Sequence, residues 1–121
     1  MYSAQVLDHF EHPRNAGEVP DADASVQVEN PACGDILRLT AKLAEGRIVD
    51  IRFRAKGCVP SMACASLLTE LIKGRSLAEA RQLRREQLLA ATGGLPPASD
   101  HAGQLAMDAL KALLKKLPAA D

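Results

Sequence analysis

The strongest constraint on the fold is a pair of alternating runs. Leu37, Leu39, Ala41 and Leu43 are separated by Arg38, Thr40 and Lys42; after a short break, Val49, Ile51, Phe53 and Ala55 are separated by Asp50, Arg52 and Arg54. Successive side chains of a strand point to opposite faces, so this period of two predicts two antiparallel strands with one dry face and one wet face. Ala44-Glu45-Gly46 suits a three-residue hairpin loop, because its last position wants the left-handed conformation that glycine adopts without a Cβ clash. Apolar residues must meet apolar residues across the pair, and with that loop Leu37 falls opposite Phe53 and Leu39 opposite Ile51.

The segments around the hairpin read as helices and one more strand. Residues 3–11 begin with a capping serine, Ser3, and carry Val6, Leu7 and Phe10 at helical spacing before Pro13. Val26 and Val28 alternate with polar neighbours as a short strand. From Pro60 the period changes to 3.6, with Gly74 as the stop. Ser76 starts a further helical stretch broken near Arg84 and ended by Thr92-Gly93-Gly94. A last helix puts Ala106, Leu110, Leu113 and Leu117 on one stripe and Lys115 and Lys116 in its final turn. Strands in one block and helices in another make the predicted fold α+β: a small three-stranded antiparallel sheet with helices packed on one face.

At 121 residues the chain reads as a single domain, 1–121, with enough length to bury a core. Fifteen Lys and Arg balance fifteen Asp and Glu, so bulk charge gives no argument for nucleic acid. No apolar run approaches a membrane span, and MYSAQVLDHFEHP lacks the basic and apolar regions of a signal peptide, so the expected location is cytoplasmic with no membrane partner. In such a compartment, three cysteines at spacings unlike a disulfide framework point to metal or chemistry, or to small buried hydrophobes.

Position separates them. Extending the hairpin register brings Ala32 opposite Cys58, which makes Cys33, Asp35 and Cys58 neighbours at one end of the sheet. Two thiols and a carboxylate are the start of a metal site, since thiolates suit zinc, copper(I) and iron-sulfur clusters, and a carboxylate adds a harder oxygen ligand. Cys58 also precedes a helix start, where unpaired amides favour an anion. Structural turn cysteines are the alternative reading of the same spacing. Cys64 shares a helical stripe with Leu68, Leu71 and Ile72 and reads as core. His9 and His12 read as surface or packing residues. His101, at the start of the last helix, matters only if that terminus abuts Cys33 and Cys58.

With these residues in hand, the chain resembles the iron-sulfur cluster assembly scaffold family of the IscU, NifU N-terminal and SufU type. YSAQVLDHFEHPRNAG, NPACGD, GCVPSMACASLLTELIKGRSL, and LPP followed by a histidine and a helix are similar to that family's landmarks and stand in the same order. The resemblance implies an IscU/SufE-like fold. It also implies a non-enzymatic scaffold or carrier on which iron and sulfide from a cysteine desulfurase become a [2Fe-2S] cluster for apo iron-sulfur acceptor proteins. It assigns Cys33 and Cys58 as cluster ligands, Asp35 as the carboxylate that tunes lability, and His101 as the histidine beside the third ligand.

Two positions depart from the family pattern. The family follows its histidine with a third ligating cysteine, which also receives persulfide sulfur; this chain has Ala102, and alanine does neither. His101 would then complete the set with Cys33, Asp35 and Cys58 for a labile cluster, iron or zinc, ahead of Cys64 as a substitute ligand. LPPAS lacks the lysine that follows LPPV in the IscU branch and binds its Hsp70 chaperone, which argues against chaperone-driven release. The competing reading is a degenerate paralogue that binds zinc or a desulfurase without building clusters. A zinc hydrolase is disfavoured, because neither HExxH nor GxSxG is present.

Overall fold

The computed structural model describes residues 2–31 and 34–118. Along them run helix α1 (Ala4–Glu11), strands β1 (Ala24–Glu29), β2 (Ile36–Ala44) and β3 (Arg47–Lys56), and helices α2 (Val59–Ile72), α3 (Leu77–Arg81), α4 (Arg85–Ala91) and α5 (Asp100–Lys116), with a 3-10 turn, Pro97–Ser99, before the last. The three strands form one antiparallel sheet in the order β1-β2-β3. The predicted fold class is therefore what the chain adopts. Among the described residues no helix is long and apolar enough to cross a membrane.

The hairpin forms where the alternation places it, with a different register. Leu39 pairs with Phe53, Ala41 with Ile51 and Leu37 with Ala55, two residues away from the predicted pairing of Leu37 with Phe53. The cause lies at the turn. Ala44 pairs with Arg47, so the loop is the two residues Glu45 and Gly46, at φ +53° and +75°. Positive φ at both central residues is what a tight hairpin needs to match strand twist. A bulge beyond Lys42 pairs Leu43 with Ile48 and leaves Val49 as the extra residue. Val49 is consequently exposed and Ile48 is the buried residue, against the simple alternation. Because the offset is even, every other side chain keeps its expected face.

One face of the sheet, including Val26, Leu37, Leu39, Ile51 and Phe53, is buried in the core with α2 and α5. Fully burying a side chain of this size contributes roughly 1.5–3 kcal/mol, and the α5 stripe Ala106, Leu110, Leu113, Leu117 is buried as its spacing predicts. The opposite face is polar. Glu18 lies against it and accepts a hydrogen bond from Arg38 Nε at 2.6 Å, while Val19 N donates to Thr40 Oγ1 at 2.9 Å.

Helix α2 is covered on almost all sides, since sheet, α1 and α5 all pack on it. Both its ends are fixed. Past its C-terminus, Gly74 N donates to Ile48 O and Ile48 N to Arg75 O, which stitches the chain to the bulged end of β3. Its N-terminus stands at the other end of that strand, one residue beyond Gly57. Helix α1 packs on α2 rather than on the sheet. Ser3 caps it as predicted, accepting from Val6 N, and also donates to Thr92 O at the end of α4. Of the apolar residues at helical spacing only Val6 is buried, with His9 beside it, while Leu7 and Phe10 are exposed.

Candidate metal centre

Asp35 is the last residue before β2, and its backbone is fixed by the hairpin that joins β1 to β2. Asn30 N donates to Asp35 O at 2.8 Å, one rung past the Glu29–Ile36 pair, and Gly34 N donates to Asn30 O at 2.7 Å. Gly34 takes φ +76°, where a Cβ would be strained. Asp35 is 5% exposed and its side chain runs over Gly57; an added Cβ there would stand 2.5 Å from Asp35 Cγ and Oδ1. The carboxylate thus occupies the space that a side chain at position 57 would fill.

Cys58 follows as the N-cap of α2, with φ −77° and ψ 166°. Capping serines and aspartates turn their oxygen back onto the first amides of the helix. The Cys58 side chain makes no such bond. Its thiol instead donates to Asp35 Oδ2 at 3.2 Å and lies 3.2 Å from Ser61 Oγ. Ser61 in turn donates to the same Asp35 Oδ2 at 2.5 Å.

His101 enters from the first turn of α5. Its Nδ1 is 3.2 Å from Ala98 O in the preceding 3-10 turn. A carbonyl only accepts, so Nδ1 carries a proton, and in the neutral ring the lone pair is on Nε2. That Nε2 is 3.7 Å from Asp35 Oδ2 and 3.8 Å from Cys58 Sγ. Asp35, Cys58 and His101 each offer one ligand atom, all within 4.8 Å of one another. A soft sulfur, an imidazole nitrogen whose other nitrogen is tied to a carbonyl, and a carboxylate oxygen form a donor set that fits iron or zinc.

Three of the four residues predicted as ligands are therefore brought together, from the β2 entry, the α2 N-terminus and the α5 N-terminus. The fourth, Cys33, lies outside the described residues, as does the expected pairing of Ala32 with Cys58. Asp35 and Cys58 still converge, because the observed register carried past Ile36–Lys56 sets Asp35 against Gly57.

The remaining candidates fall elsewhere. Cys64 is completely buried in the core, and burial, with Cys58 nearby, pushes its thiol up to about 12. That matches its core assignment, and among the described residues Cys64 is not part of the group of converging ligand atoms. His12 is exposed. His9 is 5% exposed, with Nδ1 2.8 Å from Ser66 Oγ and Nε2 3.5 Å from Glu70, so it packs α1 against α2. Ala102, the successor of His101, is 1% exposed within the core. Two residues of the centre escaped sequence reasoning. Ser61 had a signal, since it stands three residues after a helix-capping cysteine, on the same face of the turn. Gly57 had only its place beside Cys58.

Comparison with known proteins gives a consistent result. The family model described as the NifU-like N terminal domain matches residues 1–121. The iron-sulfur cluster assembly scaffold protein IscU 1 of Archaeoglobus fulgidus is 43% identical over 111 residues, covering 92% of this chain and 72% of that protein. The iron-sulfur cluster assembly scaffold protein IscU of Azotobacter vinelandii is 43% identical over 118 residues, covering 94% and 91%. A crystal structure of the N-terminal part of a nitrogen-fixing NifU-like protein from Brucella abortus shares the fold, with a TM-score of 0.76 at 18% identity over 94% of this chain and 92% of that one. With the family model matched along the whole sequence and relatives at this identity over most of it, the chain belongs to the NifU-like N-terminal domain family.

Proposed function

We propose that this chain is an iron-sulfur cluster assembly scaffold, a single domain that holds iron, sulfide or a [2Fe-2S] cluster as cargo and passes it on without turnover of its own. The observation that carries the reading is the convergence of Asp35, Cys58 and His101 within 4.8 Å, on a chain 43% identical to proteins named as such scaffolds. Cys33, two residues before Asp35, is the second thiolate of the proposed set. Its place there rests on the NPACGD motif and the family resemblance.

The chain's own groups have distinct tasks in this reading. Cys58 loses its proton to solvent and binds iron as the thiolate, which frees Asp35 Oδ2 from the thiol hydrogen bond. His101 donates through Nε2 because Ala98 O holds the proton on Nδ1. Asp35 supplies the harder oxygen ligand, which weakens the hold of the site and favours release. Ala102 supplies no ligand, so sulfur from a cysteine desulfurase is received on Cys33 or Cys58. The recipients are apo iron-sulfur proteins. Ser99, the residue after LPPA, lacks the charge of the lysine that the Hsp70 chaperone reads, which argues against hand-over driven by that chaperone. The donor set fits iron and zinc alike, and it is the likeness to proteins named as iron-sulfur scaffolds that favours this reading over a zinc-holding degenerate paralogue.

The test is anaerobic reconstitution with iron, cysteine and a cysteine desulfurase, followed by addition of an apo [2Fe-2S] acceptor. Sulfide-to-iron charge-transfer absorption on this chain, then its transfer to the acceptor, is the expected result. A chain that remains colourless and takes up zinc alone refutes the reading.

A further inference from the structure

We propose that Ser61 is a positioning residue of the metal centre, and that its hydroxyl holds Asp35 and Cys58 in ligating geometry. This inference rests on the scaffold reading above and assigns a role within it to a residue that is not itself a ligand.

Among the described residues, Asp35 Oδ2 is met by Ser61 Oγ at 2.5 Å, Cys58 Sγ at 3.2 Å and His101 Nε2 at 3.7 Å. They respond differently to an arriving cation. Cys58 releases its thiol proton to solvent and turns a sulfur lone pair to the metal. His101 turns the lone pair of Nε2 the same way. A serine hydroxyl keeps its proton at neutral pH, so of these three the Ser61 bond is the one that persists with and without metal. A carboxylate oxygen has two lone pairs, so Oδ2 can accept from Ser61 and still face a metal.

The position of Ser61 makes it a rigid post. It stands three residues after Cys58 in the first turn of α2, and a spacing of three puts both side chains on one face of the helix. It is 4% exposed, so water does not readily replace the bond. Helix α2 is packed on nearly every side. Through Ser61, one stiff element therefore sets the cysteine and, by a short hydrogen bond, the carboxylate that arrives from β2. Groups that orient metal ligands in this way typically account for about 10- to 100-fold in metal affinity.

Cobalt(II) is the probe, because its visible bands report thiolate ligation directly. Anaerobic Co(II) titration of the full chain is compared with Ser61→Ala and Ser61→Thr, alongside thermal unfolding of each metal-free protein. The expected result is Co(II) binding about 10- to 100-fold weaker in Ser61→Ala, metal-free unfolding close to the parent, and recovery of most of the affinity in Ser61→Thr, which keeps the hydroxyl. Equal affinity in parent and Ser61→Ala overturns the role of Ser61 and leaves the site standing. A loss of affinity matched by a loss of metal-free stability, with no rescue by threonine, also overturns it. A parent that binds no cobalt through thiolate overturns the site and the role of Ser61 together.

Discussion

Gly57 and Asp35 share one space: a Cβ on Gly57 would lie 2.5 Å from Asp35 Cγ and 2.9 Å from Asp35 Cβ. The absence of a side chain at position 57 is therefore what lets the carboxylate lie beside Cys58. Gly57→Ala forces Asp35 out of its 5% exposed niche. The expected cost is about 1–3 kcal/mol of stability from overpacking, together with roughly tenfold or greater loss of Co(II) or Fe(II) affinity. Denaturant unfolding and metal titration of the variant check the two parts separately.

The cysteines are expected to react in a fixed order. Cys58 is half-buried at a helix terminus, while Cys64 is fully buried with its thiol pushed up to about 12. Iodoacetamide at mildly alkaline pH should label Cys58 in the native, metal-free protein and reach Cys64 only after denaturation, as read by peptide mass spectrometry. Cys64→Ser should leave metal binding intact and cost about 1–3 kcal/mol, because a buried hydroxyl replaces a buried thiol.

The hairpin was legible in the sequence because both runs alternate cleanly, and the parity of that alternation is what brings Asp35 and Cys58 together. The register was less accessible. One extra residue, Val49, and a two-residue turn at Glu45-Gly46 shift the pairing and exchange the faces of Ile48 and Val49, while the alternation beyond the bulge is kept. The inward face of α1 was legible only in part, for a different reason. Hydropathy favours Leu7 and Phe10, whereas the helix buries His9, whose ring is accommodated by Ser66 and Glu70 from α2. Pattern alone placed His101 at a helix start and only the family resemblance set it with Cys58, because the meeting of α2 and α5 is a matter of tertiary packing with no local signal. Ser61 was overlooked because a lone serine in a first helical turn is ordinarily read as helix-start chemistry.

His9 makes the stability of the fold depend on pH. Burial, reinforced by the nearby Arg14, lowers its imidazole below the ordinary 6.5, and Glu70 and Asp8 oppose that only in part. The unfolded chain then takes up the proton first, so this contribution is complete above about pH 6.5 and declines as pH falls toward the folded value. Chemical denaturation should show stability decreasing from pH 7 to 5, with the slope reduced in His9→Gln. Asp8, Glu18 and Glu79, each held low by a hydrogen-bonding neighbour, titrate in the more acidic carboxylate range and leave that window clear.

The central claim is that Cys58, Asp35 and His101 hold iron-sulfur cargo in a chain with Ala102 in place of a third cysteine. Anaerobic reconstitution of the parent, Cys58→Ala and His101→Ala, with iron and acid-labile sulfide measured on each protein after desalting, tests it most directly. Equimolar iron and sulfide on the parent, lost in Cys58→Ala and strongly reduced in His101→Ala, is the outcome expected. Neither iron nor sulfide retained on the parent, or equal loading of all three proteins, would contradict the claim.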